Sequence, residues 1–331
     1  MHLAVYLPLL IPALAALAAR PLADRLPPRP ATWLLAGSAL ALAACSSAVL
    51  GLLTLTAILR IPLVAGLGHM SAQAVSRTDP DSVPVAVIAG AMLAYVAFAA
   101  CRALVRRASA ITAAGRRARD LPGAGQIVVT DDEAADAYTL PGWPCRIVIT
   151  SGMLRALSEG ERRVLLAHER THAAGSHYLF TAVARLAAAA NPLLRPVAVA
   201  VGYTVERWAD EGAAAATGDR ALTARAIARA ALAAKAAPPQ RAGLAVALGM
   251  IPLRTMRWAL VPPVGGRRGA KLPWEKTGPV PRRVAALLSP PPKLSLLLVA
   301  GILLLVSVSG VAALEAVRNL HQFVEYAQSA R

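Results

Sequence analysis

The amino-acid sequence predicts a mainly α-helical protein that crosses a membrane about four times and carries a further helical domain with a small β-hairpin or sheet. Two observations support this fold class. Of the 331 residues, 56% are hydrophobic and only 4% are aromatic, and the mean hydropathy of +0.53 is typical of membrane proteins. In addition, four apolar stretches approach or exceed the ~20 residues that a helix needs to cross a bilayer.

The predicted transmembrane helices cover roughly Leu3 to Ala19, Trp33 to Leu59, Val83 to Leu104 and Leu294 to Val317. The position of the first stretch is compatible with a secretory signal peptide. However, no Lys or Arg precedes it, and Arg20 follows it directly. We therefore interpret it as a helix that stays in the membrane.

The net charge of +17 is compatible with nucleic-acid binding. Many of the basic residues, however, flank the apolar stretches, and the sequence has no recognisable nucleic-acid-binding motif, so no direct nucleic-acid binding is expected. Arginines cluster in two segments. The first lies between the first and second apolar stretches and contains Arg20, Arg25 and Arg29; the second follows the third stretch and contains Arg102, Arg106, Arg107, Arg116, Arg117 and Arg119. Positively charged loops face the cytoplasm. The predicted topology in the plasma membrane therefore has residues 106–293 in the cytoplasm and both termini outside, with residues 318–331 as a short external tail.

Two short β-like runs, Gln126 to Thr130 and Arg146 to Thr150, open the cytoplasmic segment. An acidic turn at residues 131–133 and Pro141-Gly142 separate them. These signals predict a β-hairpin.

A helix is predicted to follow these strands. Ser158 and Glu161 match a capping box, in which each side chain accepts a hydrogen bond from the other residue's backbone N–H. The helical run from Arg162 to Ala174 comes next, and Gly175 is a suitable end.

This helix contains the pattern His168-Glu169-Arg170-Thr171-His172. Residues four positions apart share one helical face, so both imidazoles can bind one metal ion. Glu169 can then take a proton from a water molecule that the metal activates. The alternative is a pair of surface histidines on an ordinary amphipathic helix.

A second helical pattern contains Glu206 and Asp210, at a separation suited to a third, carboxylate ligand. Asp210, one turn after Glu206, can accept a hydrogen bond from the ring N–H of a ligating histidine and fix its tautomer. Both halves together predict a zinc site formed by His168, His172 and Glu206. The alternative is that Glu206 and Asp210 belong to a solvated helix face.

The apolar stretch from Tyr178 to Val205 lies between the two halves of this predicted site. A single membrane crossing there would place His172 and Glu206 on opposite sides of the bilayer. Two crossings would need about 40 residues, which is more than the stretch contains. We therefore predict a helical hairpin with its bend near Asn191, lying against the membrane surface or inside the domain core.

Four segments together resemble the BlaR/MecR-type membrane metallopeptidases, and the resemblance covers nearly the whole chain. They are HERTH, ERWAD, the upstream RIVITSGMLRAL and the later PRRVAALLSPPP. A weaker likeness extends to the HtpX and CAAX prenyl protease group. The resemblance implies a gluzincin-like cytoplasmic zinc domain in a zinc metalloendopeptidase. It also implies His168, His172 and Glu206 as ligands, Glu169 as catalytic base and Asp210 as a supporting residue.

Two departures from this family affect the expected function. The family often has an acidic residue where this chain has His177, which leaves the role of that position open. The penicillin-binding sensor domain is also missing, because only residues 318–331 follow the last apolar stretch. Covalent sensing of β-lactams is therefore not expected.

Three functions remain open at this point. The resemblance implies regulatory cleavage of a cytosolic winged-helix transcriptional repressor. The second is a quality-control membrane protease of the HtpX kind, with broader substrates. The third is a non-catalytic signalling protein with a structural metal site; Glu169 argues against it, because a structural site needs ligands but no base.

Overall fold

A computed structural model describes residues 3–58, 82–142, 145–236 and 278–329. Within these ranges the protein is mainly helical, with one small sheet. The helices are α1 (Leu7–Arg25), α2 (Pro28–Ile58), α3 (Ser82–Asp120), α4 (Ser151–Ala156), α5 (Glu159–Ala174), α6 (His177–Ala190), α7 (Arg195–Thr217), α8 (Arg220–Ala236), α9 (Pro279–Leu288) and α10 (Leu296–Ser329). The strands are β1 (Ile127–Thr130), β2 (Ala137–Leu140) and β3 (Arg146–Thr150). The predicted fold class is confirmed.

Four of these helices are long and apolar enough to cross a membrane, as the sequence predicts. The qualifying segments are Leu7–Arg25, Pro28–Thr56, Val87–Asp120 and Leu296–Gln322. Helices α3 and α10 both continue beyond the predicted ends of their spans. The predicted topology also places the segment between the second and third spans outside the cell, and nearly all of this segment lies outside the described residues.

The predicted helical hairpin is formed by α6 and α7, which a short 3-10 turn at Pro192–Leu194 connects. It packs into an apolar core shared with α1, α2 and α10. Two hydrogen bonds fix its position along α2: Thr32 Oγ1 to Thr204 Oγ1 at 2.9 Å, and Asn191 Nδ2 to Ser46 Oγ at 3.0 Å. One face of the hairpin therefore belongs to the core of the helical bundle, while Leu179, Leu193 and Val199 on its other face are exposed.

The sheet has the strand order β1-β3-β2, with β1 parallel and β2 antiparallel to β3. The predicted hairpin between Gln126–Thr130 and Arg146–Thr150 is therefore wrong, because these two strands run parallel. The sequence reasoning missed β2, whose four residues are too short to show an alternating pattern. The antiparallel pair is formed by β2 and β3, and this pair positions Thr139 beside α5.

The capping box predicted at the start of α5 is present at Ser158 and Glu161. The Glu161 carboxylate accepts from the Ser158 backbone N–H at 2.9 Å, and it also accepts from Arg229 of α8 at 2.8 Å. Further along, α5 packs closely against α7. At Gly212, an added Cβ atom would lie 2.4 Å from Thr171 Oγ1, so the absence of a side chain permits this approach.

Candidate metal centre

Helix α5 presents the two histidines of the HExxH pattern towards α7. His168 is buried, and the ring centroids of His168 and His172 are 4.8 Å apart. Their Nε2 atoms are 3.1 Å apart. The helical spacing of four residues thus brings one nitrogen of each ring to the same point, as the sequence argument required.

Helix α7 supplies the carboxylate that faces these nitrogens. Glu206 Oε1 lies 3.6 Å from His172 Nε2, and Glu206 Oε2 lies 3.8 Å from His168 Nε2. One ligand atom from each of His168, His172 and Glu206 lies within 4.8 Å of the other two. The hairpin of α6 and α7 makes this meeting possible, because it starts just after the end of α5 and returns the chain to that same end.

Asp210 lies behind His168, on the side away from the cluster. Its Oδ1 atom is 3.1 Å from His168 Nδ1. A proton on Nδ1 leaves Nε2, the atom that faces Glu206 and His172, with a free lone pair. Burial alone would lower the pKa of His168, but the hydrogen bond and charge of Asp210 outweigh burial and raise it.

Arg283 of α9 completes the charged arrangement and has no counterpart among the predicted site residues. Its side chain is 1% exposed. Nε donates to Asp210 Oδ2 at 2.7 Å, NH2 donates to Asp210 Oδ1 at 2.6 Å, and NH1 lies 2.9 Å from Glu206 Oε2. Burial raises the pKa of Asp210, but the Arg283 charge outweighs it and holds the value at about 2. Both carboxylates are thus held by one guanidinium group.

Glu169 lies beside the cluster and is itself buried. Its Oε2 atom accepts a hydrogen bond from Thr139 Oγ1 of β2 at 2.8 Å. Burial raises the pKa of Glu169, and the nearby carboxylates of Glu206 and Asp136 raise it further, while His168 and Thr139 act in the opposite direction. A carboxylate with a raised pKa is suited to exchanging protons near neutral pH.

His177, whose role the sequence left open, contacts His172. The two Nδ1 atoms are 2.9 Å apart, and His177 is buried. A left-handed backbone at Ser176 (φ 48°) turns the chain between α5 and α6. At Gly175, an added Cβ would lie 2.4 Å from His177 Nε2. The turn therefore seats His177 against the side of His172 that faces away from Glu206.

The protonation of this histidine pair favours metal binding by His172. Burial lowers the pKa of His172 well below its usual range, and the charges of His168, His177 and Arg283 act in the same direction. Burial likewise lowers the pKa of His177 to about 4. With His177 neutral, its Nδ1 can accept a hydrogen bond from the His172 Nδ1–H, which leaves the lone pair of His172 Nε2 free.

These residues fit a zinc ion. Two imidazole nitrogens and one carboxylate form a ligand set found in catalytic zinc sites, which keep a fourth position open for water or substrate. Two carboxylates, Glu206 and Asp210, face the single guanidinium group of Arg283 and raise the pKa of His168, so this buried cluster favours a positive charge at His168, which a bound cation would supply. Each histidine also has a partner on its ring nitrogen away from the cluster, as ligating histidines usually do.

A fold with four candidate membrane-spanning helices and this cluster describes a membrane protein with a metallopeptidase-like centre. In the comparison with known families, residues 102–191 match the family model described as Peptidase family M48. This part of the chain includes the HExxH pattern and ends before Glu206. No curated protein and no solved structure matches the chain significantly. Over this part, which is less than a third of the chain, the sequence is similar to the M48 peptidases, a family that is typically zinc-dependent. The match does not confirm the specific resemblance to BlaR/MecR-type or HtpX-type proteins.

All the residues that the sequence singled out for the site meet in one place, and three further residues, Thr139, His177 and Arg283, join them. Thr139 could not be identified because β2 was missed. Arg283 lies 73 positions after Asp210, a separation at which spacing carries no information about contact. The signal available for Arg283 was its place in the PRRVAALLSPPP segment, within an otherwise apolar helical pattern.

Proposed function

We propose that this chain is a membrane-embedded zinc metalloendopeptidase that hydrolyses peptide bonds. The observation that carries this proposal is the buried Glu169, whose carboxylate interacts electrostatically with His168 and Glu206 of the converging cluster. A structural metal site needs no such base. The family match over residues 102–191 supports the same reaction class.

In this proposal His168, His172 and Glu206 hold the zinc ion. When bound there, zinc would lower the pKa of a water molecule and polarise the scissile carbonyl group. The Glu169 carboxylate takes the proton of the attacking water and delivers one to the leaving amine. Thr139 donates to Glu169 Oε2 and so fixes the orientation of the carboxylate, which leaves Oε1 for the proton transfers.

Asp210, His177 and Arg283 orient the ligands rather than react. Asp210 and His177 each occupy the outer ring nitrogen of one histidine, which fixes the tautomer in which Nε2 is a ligand atom. Arg283 holds Glu206 Oε2, so that Oε1 remains directed at His172. These partners keep the ligand atoms in place before a metal arrives, which lowers the cost of binding it.

The substrate we propose is a cytosolic protein, with a winged-helix repressor as the candidate that the sequence resemblance provides. The alternative is broad cleavage of damaged membrane proteins. Comparative proteomics of a strain that carries an inactive variant separates the two. Accumulation of one regulatory protein supports the first reading, and accumulation of many unrelated membrane proteins supports the second.

The variant Glu169→Gln tests the catalytic proposal. Glutamine keeps the size of the side chain and can still accept from Thr139, but it cannot take a proton. We expect the purified variant to bind about one zinc ion per chain and to lose cleavage by about 10²-fold or more. The control His168→Ala should lose most of its zinc. Normal zinc content together with undiminished cleavage in Glu169→Gln would remove Glu169 from the mechanism.

A further inference from the structure

The hairpin of α6 and α7 extends far along α2, one of the candidate membrane-spanning helices. Near its open end, where α6 begins, Thr204 of α7 forms a hydrogen bond with Thr32 of α2. At its bend, Asn191 forms a hydrogen bond with Ser46 of α2. Thr32 and Ser46 are 14 positions apart, which corresponds to about 21 Å of helix at ~1.5 Å per residue. The hydrocarbon core of a bilayer is ~30 Å thick. If α2 crosses the membrane, the hairpin therefore reaches past its middle.

Polar groups at the bend have partners inside the protein. Asn191 Oδ1 accepts from the Leu193 backbone N–H at 3.0 Å, and Asn191 Nδ2 donates to Ser46. Ser46 Oγ donates in turn to the Pro8 carbonyl of α1 at 2.8 Å. A non-helical turn within a bilayer must satisfy its polar groups in this way, because the hydrocarbon offers no partners.

The outer surface of the hairpin is apolar at three different depths. Leu179, Val199 and Leu193 are 48%, 41% and 46% exposed, respectively. Judged by the positions of Phe180, Thr204 and Asn191 against α2, Leu179 lies near the open end, Val199 at an intermediate depth and Leu193 at the bend. Exposed large apolar side chains along a segment packed between transmembrane helices fit lipid as their neighbour.

The hairpin also carries two exposed charged residues, Arg185 and Arg195. A charged group is unfavourable in hydrocarbon, so each guanidinium group must reach a polar boundary of the bilayer. Side chains on a helix lean towards its N-terminus. Helix α6 starts at the open end, so Arg185 leans towards that surface, whereas α7 starts at the bend, so Arg195 leans towards the opposite one. Both side chains are long enough to extend their charged groups towards a polar boundary. Their placement therefore suits a hairpin that passes the midplane.

Aromatic residues mark the open end of the hairpin. Trp33 is 61% exposed and its ring contacts Phe180 edge to face at 4.7 Å. The Arg29 guanidinium lies 5.5 Å from the Trp208 ring. Tryptophans next to arginines are typical of the boundary between hydrocarbon and water. His177 lies beside Trp208, so the candidate metal centre borders this level.

We propose that residues 178–205 form a re-entrant hairpin, which enters the bilayer from the side that carries the metal centre, turns beyond the midplane and returns to the same side. Its surface partner is the acyl region of the lipid. This arrangement fixes the centre of His168, His172 and Glu206 at the membrane boundary, because His172 precedes the hairpin by six residues and Glu206 follows it directly.

Depth-dependent quenching tests this proposal in the full-length protein. A variant without Cys45, Cys101 and Cys145 receives one cysteine at a time, labelled with an environment-sensitive fluorophore and reconstituted into phosphatidylcholine and phosphatidylglycerol vesicles. Lipids with a nitroxide at carbon 5 or carbon 12 of the acyl chain report shallow or deep positions, and iodide reports water. The control Glu159→Cys lies at the exposed start of α5.

We expect Leu193→Cys to be quenched most by the carbon-12 nitroxide, Leu179→Cys most by the carbon-5 nitroxide, and Val199→Cys to be intermediate. Glu159→Cys should respond to iodide alone. Strong iodide quenching at Leu193→Cys and Val199→Cys would overturn the proposal, since the hairpin would then border water. Because three independent positions carry the test, a single variant that fails to fold does not remove it. Loss of peptidase activity in any variant is irrelevant to the readout.

Discussion

At the scale of single residues, Arg283 is the group on which the charge balance of the site depends. It is fully buried and holds both Asp210 and Glu206. Removing one member of a buried ion pair costs about 3–5 kcal/mol, because the remaining charge loses its partner while it stays desolvated. Two carboxylates lose their partner here, so the effect should be large.

We therefore expect Arg283→Ala to lower the melting temperature of the detergent-solubilised protein markedly and to abolish cleavage. Arg283→Lys should not restore function, because an ammonium group cannot reproduce the two-pronged contact with Asp210. Arg282→Ala is the matched control. It removes the same side chain one position earlier, where the guanidinium pairs with the 40% exposed Asp24 and lies over the Tyr203 ring. This variant leaves no buried carboxylate without a partner, so its loss of stability should be smaller. Equal melting temperatures for both alanine variants would contradict this role for Arg283.

The residue scale is also where the sequence was most informative. The ligand candidates and Glu169 follow from helical spacing, since residues four apart on one helix share a face whatever the rest of the fold does. His177 and Thr139 depend on a left-handed turn and on a strand of four residues. Such features leave almost no pattern in a sequence, and their contacts with the site therefore had to come from the structure.

At the scale of secondary-structure elements, the candidate metal centre depends on how closely α5 approaches α7. Gly212 faces Thr171 across this interface, and Thr171 is held by a hydrogen bond to the Ala167 carbonyl at 2.9 Å. Gly212→Ala would place a methyl group 2.4 Å from Thr171 Oγ1. Since the threonine is β-branched, rotation about χ1 exchanges one crowded atom for another. The helices must then separate.

We expect Gly212→Ala to destabilise the protein by about 1–3 kcal/mol and to reduce its zinc content, because Glu206 moves away from the histidines. The rescue variant Gly212→Ala/Thr171→Ala should recover most of both losses, since only the Thr171 Cβ would remain, at 3.1 Å from the new methyl group. As a control, Gly37→Ala in α2 meets no atom within 4 Å. A fully stable, zinc-loaded Gly212→Ala protein would show that the interface can relax.

The sequence predicts that the hairpin of α6 and α7 exists, but not what surrounds it. Its existence follows from one constraint, namely that His172 and Glu206 must lie on the same side of the membrane. Its surroundings do not follow, because an apolar helix pair can bury itself against other helices, against lipid or within a soluble core. Asn191 and Ser46, whose hydrogen bond places the bend against α2, are 145 residues apart, and neither residue type is unusual in its local segment.

At the scale of the whole molecule, the distribution of arginines predicts that the sheet, α5 and α8 lie in the cytoplasm. Reporters inserted at Gly123 and Gly218 should therefore behave as cytoplasmic, and one inserted at Ser71 as external. Both glycines are at positive φ, in turns where insertions disturb little. Opposite behaviour of the Gly123 and Gly218 reporters would separate the sheet that holds Thr139 from α7, and would be incompatible with the fold described.

The site residues lie far apart along the chain, so they are synthesised at different times. The helix with both histidines leaves the ribosome first, but Glu206 can join it only after the intervening apolar hairpin has found its place among α1 and α2. Arg283 emerges later still. A nascent or wrongly folded chain therefore has an incomplete set of candidate ligands, so the proposed zinc site can form only once the whole fold is in place.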